Sequence, residues 1–234
     1  MRQVTHIFKR ELNVYFVSPI AYIVISIFLL VTGWFFFTTF FLYNQATLRN
    51  FFALLPMTFS FVVPAITMRL FSEELNVGSY ETLLTLPVTF LDVVLGKFLA
   101  GLAFITIMLV PTLAYPVTVS LLGQLDWGPV VGGYLGAILL GASFTAIGLF
   151  ASSLTRNQII AFIVGMAICF TLTLIDKMLF FLPQSLLGVL EYLGADFHFE
   201  NISKGIIDSR DVLYFLSVCF VALYGTHLAL QERH

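Results

Sequence analysis

Six long stretches of this chain contain no Asp, Glu, Lys or Arg: Leu12–Leu48, Asn50–Met68, Phe98–Leu125, Trp127–Thr155, Asn157–Ile175 and Val212–Gln231. Each supplies the roughly 20 apolar residues that a helix needs to cross a bilayer. Hydrocarbon cannot satisfy open backbone groups, and the stretches lack the strict alternation of barrel strands, so helices are the only form open to them. With 59% hydrophobic residues, the chain lies outside the soluble range of about 45–50%. The expected fold is an all-α membrane protein with six transmembrane helices in one domain, 1–234. The first stretch is too long for a signal-peptide core and no small-residue cleavage site follows it, so it is read as a retained span.

Residues 1–18 precede the first span as an amphipathic helix. Val4, Ile7, Phe8, Leu12, Val14, Tyr15 and Phe16 fall on one side at helical spacing. Arg2, Gln3, His6, Lys9, Arg10 and Asn13 fall on the other, as in a helix lying in the membrane interface. Glu11 sits on the apolar side, so it either faces protein or snorkels to the interface. Counting Lys and Arg in alternate connections gives Arg2, Lys9, Arg10, Arg69, Lys97, Arg156 and Arg233 on one side. Arg49, Lys177, Lys204 and Arg210 fall on the other, which predicts cytoplasmic termini.

Local features refine the spans. Aromatic residues crowd the outer half of the first span (Trp34, Phe35, Phe36, Phe37, Phe40, Phe41, Tyr43), as in an interfacial belt. Pro56 and Pro64 in the second span and Pro111 and Pro116 in the third favour kinks. Gly132-x-x-x-Gly136 and Ala137-x-x-x-Gly141 in the fourth permit close helix approach. Asp176 and Lys177 close the fifth span near the outer interface, where pairing with each other or solvent contact is expected. Residues 183–210 form the longest connection. Its apolar first half, from Leu186 to Leu193, suits a short re-entrant helix.

The chain offers no visible catalytic site. Gly96-Lys97 lacks the earlier glycine of a phosphate-binding loop, and no HExxH, CxxC or GxSxG pattern occurs. His6, His198, His227 and His234 show no spacing for a metal or an acid–base pair. Cys169 and Cys219 read as buried apolar side chains. The distinctive feature is instead a polar island at 71–90, on the side assigned to the cytoplasm. Six of the 24 charged residues (Arg69, Glu73, Glu74, Glu81, Asp92, Lys97) fall between Arg69 and Lys97. A turn at Gly78 and a short helix through Tyr80-Glu81-Thr82-Leu83-Leu84 would suit insertion into a groove of a soluble partner. An ordinary loop with its leucines laid back on the membrane fits the residues equally well.

The island resembles the signature of ABC type-2 exporter permeases: an acidic stretch, a Gly-Thr-x-Glu-x-Leu-Leu-x-x-Pro pattern, and a Gly-Lys opening the third helix. Here these are Glu73-Glu74, the run Gly78, Ser79, Tyr80, Glu81, Thr82, Leu83, Leu84, Thr85, Leu86 and Pro87, and Gly96-Lys97, with Ser79 in place of the usual Thr. The run from Phe8 to Pro19, with Lys9, Arg10 and Glu11, resembles the family's interfacial connecting helix. Residues 197–211 are similar to the gliding-motility-type branch.

The resemblance implies a non-catalytic permease subunit of an exporter in the bacterial inner membrane. Its expected partners are a separate nucleotide-binding subunit carrying ATP and Mg, and a second permease chain, identical or not. An accessory periplasmic or membrane protein is a further expectation, and nucleic acid is not. The 71–90 loop would be the coupling element and 183–210 an outward cap. A force-transmitting scaffold of the gliding type is the alternative. An ion-coupled transporter would require charge within the spans, which these stretches lack.

Overall fold

The computed structural model describes residues 2–43, 45–78, 89–178 and 192–232. They form helices α1 (Arg2–Val17), α2 (Pro19–Tyr43), α3 (Arg49–Thr67), α4 (Arg69–Val77), α5 (Phe90–Leu109), α6 (Ala114–Leu122), α7 (Trp127–Leu154), α8 (Gln158–Met178), α9 (Ala195–Ser203) and α10 (Ser209–Gln231). No strand occurs among the described residues. Six segments are long and apolar enough to cross a membrane: Pro19–Leu42, Arg49–Val77, Phe90–Leu122, Trp127–Leu154, Gln158–Ile175 and Ser209–Gln231.

Local chemistry sets where these helices begin. Pro19 opens α2, where its missing N–H costs nothing. Thr89 caps α5 through a reciprocal box with Asp92, so one acid of the polar island is committed to starting a helix. Asp126 and Asp208 cap α7 and α10 by accepting from Gly128 N and Arg210 N, each at 3.0 Å.

The prolines act unequally. Helix α3 runs on through Pro56 and Pro64. In the third span, Pro111 lies in a 3₁₀ turn, Val110–Leu113, that separates α5 from α6. The second span is interrupted at Met68 instead, where Ser152 of α7 enters the backbone ladder. Its hydroxyl accepts from Phe71 N and Ser72 N at 3.0 Å and donates to Met68 O at 2.7 Å. A side chain inserted in this way is a recognised cause of helix breaks.

Helix α7 is the hub, packed against α3, α5, α8, α9 and α10. Its small residues are used within the chain. A side chain at Gly132 would strike the Ile202 carbonyl, and one at Gly136 would crowd Phe199, so this pair seats α9. Gly141 faces Ile105 of α5, and Gly148 admits Thr67 of α3. The aromatic group of the first span divides. Phe36 is buried and stacked on Tyr115 (4.9 Å between centroids, 15° between planes), whereas Trp34 and Phe41 are exposed. Part of the expected belt is therefore core. Cys169 is buried and Cys219 half-buried, and both are free thiols.

Candidate functional site

Six crossings bring α1, α4, the start of α5 and the end of α10 to one end of the bundle. Ile7, Phe71, Leu75, Val93 and Leu230 share a single core there. Helix α1 lies chiefly along α5, and Gly96 permits this. A Cβ at that position would come within 2.7 Å of Ile7 Cγ2 and 3.3 Å of Val4 O. The next residue, Lys97, then extends beneath α1 with its side chain only 1% exposed.

Lys97 joins a four-membered charge cluster. Its Nζ donates to Glu74 Oε1 of α4 at 2.8 Å and to Glu11 Oε1 of α1 at 3.2 Å. Arg10 donates to the same two oxygens, at 3.2 Å and 2.7 Å respectively. Lys97 also stands over the Phe71 ring, 5.2 Å from its centroid. Two cations face two carboxylates, so the cluster is neutral as a unit. Removing such charges from water is costly, and close pairing with good hydrogen bonds is what offsets that cost. Burial alone would push the Glu11 carboxyl up. The charge of Lys97 and the hydrogen bond and charge of Arg10 outweigh burial and hold it below the usual carboxylate range.

The residues singled out for the coupling loop and the connecting helix thus divide. Glu74 is engaged inside the protein, while Glu73 is exposed. Lys9 is exposed on the outer side of α1, whereas Arg10 and Glu11 bind inward. Of the two expectations for Glu11, contact with a basic residue of a neighbouring helix is the one seen. Gly78 ends α4 in the left-handed conformation (φ 75°), which glycine adopts without strain. Ser79, Tyr80, Glu81, Thr82, Leu83, Leu84, Leu86 and Pro87 lie outside the described residues.

The opposite end holds pairings that linear spacing concealed. His198 Nδ1 lies 2.6 Å from Asp211 Oδ1, and its Nε2 lies 3.1 Å from Tyr192 O. The ring stacks on Tyr214 at 4.1 Å, and both members of the pair are buried. The absence of an acid–base spacing for the histidines therefore did not hold for His198. A turn between α9 and α10 brings residues 13 apart into contact. Lys177 binds Asp196 of α9 at 2.7 Å, and the Asp176 side chain lies outside the described set. The described helix of the 183–210 connection is Ala195–Ser203; most of the apolar stretch 186–193 lies outside the described residues. No group of three His, Cys, Asp or Glu able to hold a metal occurs among the described residues.

The family model for ABC-2 family transporter protein matches residues 36–192, more than half of the chain. That range contains Glu74, Lys97 and the hub helix α7, and leaves out α1 and α10. No curated protein gives a significant match to the sequence. Six spanning helices and this match lead to one conclusion: the chain belongs to the ABC-2 family of transporter proteins and is a multi-pass membrane permease.

Proposed function

We propose that the chain is the membrane-spanning subunit of an ATP-driven exporter, and that a separate nucleotide-binding subunit docks on residues 79–87. The observation that carries this reading is the Arg10–Glu11–Glu74–Lys97 cluster, built around the buried Lys97 and Glu11. It ties the segment leading into that connection to the interfacial helix and to the third span. A push on 79–87 would enter α4, which continues into α3, is bound to α5 by Lys97 and to α1 by Arg10, and is held to α7 by Ser152. Three spans would then move with the docking segment. ATP and Mg would be held by the partner, whose closure supplies the force. The end bearing α1 would face the cytoplasm of a bacterial cell, and a second permease chain would complete the path. The resemblance of 197–211 to the gliding-type branch favours a second reading, in which force transmission takes the place of solute export.

Leu83 and Leu84 serve as the anchors and Glu81 as the polar contact. Glu74 is left out of the test, because reversing its charge would break the internal cluster. Replacing Leu83 and Leu84 by Asp and Glu81 by Arg should lower the recovery of co-expressed ATPase with the purified permease about thirtyfold or more. That corresponds to losing about 2 kcal/mol of docking free energy in all. Recovery equal to the parent's would sink the docking assignment.

A further inference from the structure

A cavity of about 220 Å³ opens at the same end of the bundle, where the first, second, third and fifth spans meet α1 and α4. Its apolar lining includes Ala65, Ile66 and Ile20, the last half exposed. Its polar groups include Arg69, Glu73 and Gln158, and Tyr15 on its lining is fixed by its hydroxyl, which donates to Ile66 O at 3.2 Å.

These polar groups are unspent. The Arg69 guanidinium stands over the Tyr15 ring, 5.5 Å from the centroid. Among the described residues it has no carboxylate within ion-pair distance and donates no hydrogen bond, although it carries five N–H donors. Glu73 lies four residues on along the same helix, a spacing at which opposite charges normally meet. Here the two line the cavity without closing on each other. The Gln158 amide is likewise without a hydrogen bond among the described residues. At the same end of the bundle Arg10, Glu11, Glu74 and Lys97 are all paired, whereas Arg69 and Glu73 are left open on the cavity lining.

We propose that this cavity is a headgroup site for a zwitterionic phospholipid carrying a primary amine, of the phosphatidylethanolamine type. Arg69 and Gln158 donate to the phosphate, and Glu73 accepts from the ammonium. Arginine suits phosphate oxygens because its donors form a planar fork. Basic pockets between membrane helices are recurrent headgroup sites. The volume is below the about 300–1,000 Å³ of sites that enclose a whole small molecule, so the acyl chains remain in the bilayer. A headgroup with only a phosphate charge would leave Glu73 facing like charge. A choline headgroup has no N–H for Glu73 to accept.

The proposal rests on the membrane location alone and not on the docking of an ATPase. Its test therefore uses the purified full chain without a nucleotide-binding partner. The chain is reconstituted in nanodiscs containing equal phosphatidylethanolamine, phosphatidylglycerol and phosphatidylcholine, and the lipid retained after transfer to detergent is quantified by mass spectrometry. The parent should retain phosphatidylethanolamine preferentially. Arg69→Gln should lower retention of all three about tenfold or more, the scale of a charge-assisted hydrogen bond, and Arg69→Lys should restore part of it. Glu73→Gln, a change at an exposed position that keeps the fold, should abolish the preference for the amine lipid while leaving total retention near the parent's. Ala65→Phe should fill the cavity and remove retention. A parent that favours phosphatidylglycerol, or Glu73→Gln and Ala65→Phe variants that retain phosphatidylethanolamine as the parent does, would overturn the proposal.

Discussion

The two ends of the bundle bury charge in different ways. At the α1 end, Glu11, Glu74 and Lys97 come from three helices, with Lys97 separated from its partners by 86 and 23 residues. At the other end, His198 and Asp211 are 13 residues apart and join two consecutive helices. The first arrangement makes an interfacial helix, the end of the second span and the third span depend on one lysine. The second fastens a short helix to the span that follows it. Both leave one carboxylate oxygen buried without a partner among the described residues, Glu74 Oε2 and Asp211 Oδ2. The contrast is one of reach, since losing a long-range tie releases several elements and losing a local one releases only its own.

Lys97→Met is the most severe way to probe that difference. It leaves two carboxylates buried against each other with only the half-exposed Arg10 nearby. Removing one partner of a buried pair costs about 3–5 kcal/mol. The thermal midpoint of the detergent-purified protein should fall sharply, and hydrogen exchange should rise in α1, α4 and α5 together. Exchange confined to α5 would mean that the cluster does not couple the three helices.

His198→Leu should cost less, about 1.5–3 kcal/mol for a hydrogen bond to a charged group. Its exchange signature should stay within α9 and the start of α10. A spread to α1 or α4 would break the distinction between local and long-range ties.

Glu11→Gln should have the smallest effect, about 1 kcal/mol, because Lys97 keeps Glu74. It also carries a pH signature. The Glu11 carboxyl is held below its ordinary value of 4.5. A depressed acid contributes stability that is complete above the ordinary value and is lost as pH falls through the folded one. The difference in thermal midpoint between parent and Glu11→Gln should therefore be constant above about pH 5 and shrink below it. A difference that grows on acidification would contradict the pairing.

Much of the fold was legible from composition alone. A run without charge and long enough to cross hydrocarbon has few alternatives to a helix, so six runs predict six spans. The break between α1 and α2 was legible as well, since Ser18-Pro19 ends one helix and opens the next. The candidate site was legible only in part. Glu11 stood out as a carboxylate on an apolar face, which marks a group that needs a partner. Lys97 was readable as one half of a Gly-Lys pair, but nothing in its neighbours indicated that it would reach two acids on other helices. Ser152 gave no signal, because a serine in a membrane helix usually bonds within its own turn.

The sequence by itself determined the membrane class, the number of spans and an amphipathic helix ahead of the first, because each follows from the cost of leaving backbone or charge in hydrocarbon. Only the tertiary structure decided which charges meet. Glu74 turned inward and Glu73 outward, one position apart on the same helix. Pairing depends on which neighbouring helix lies across a given face, and a hundred degrees of helical rotation separates a buried carboxylate from an exposed one.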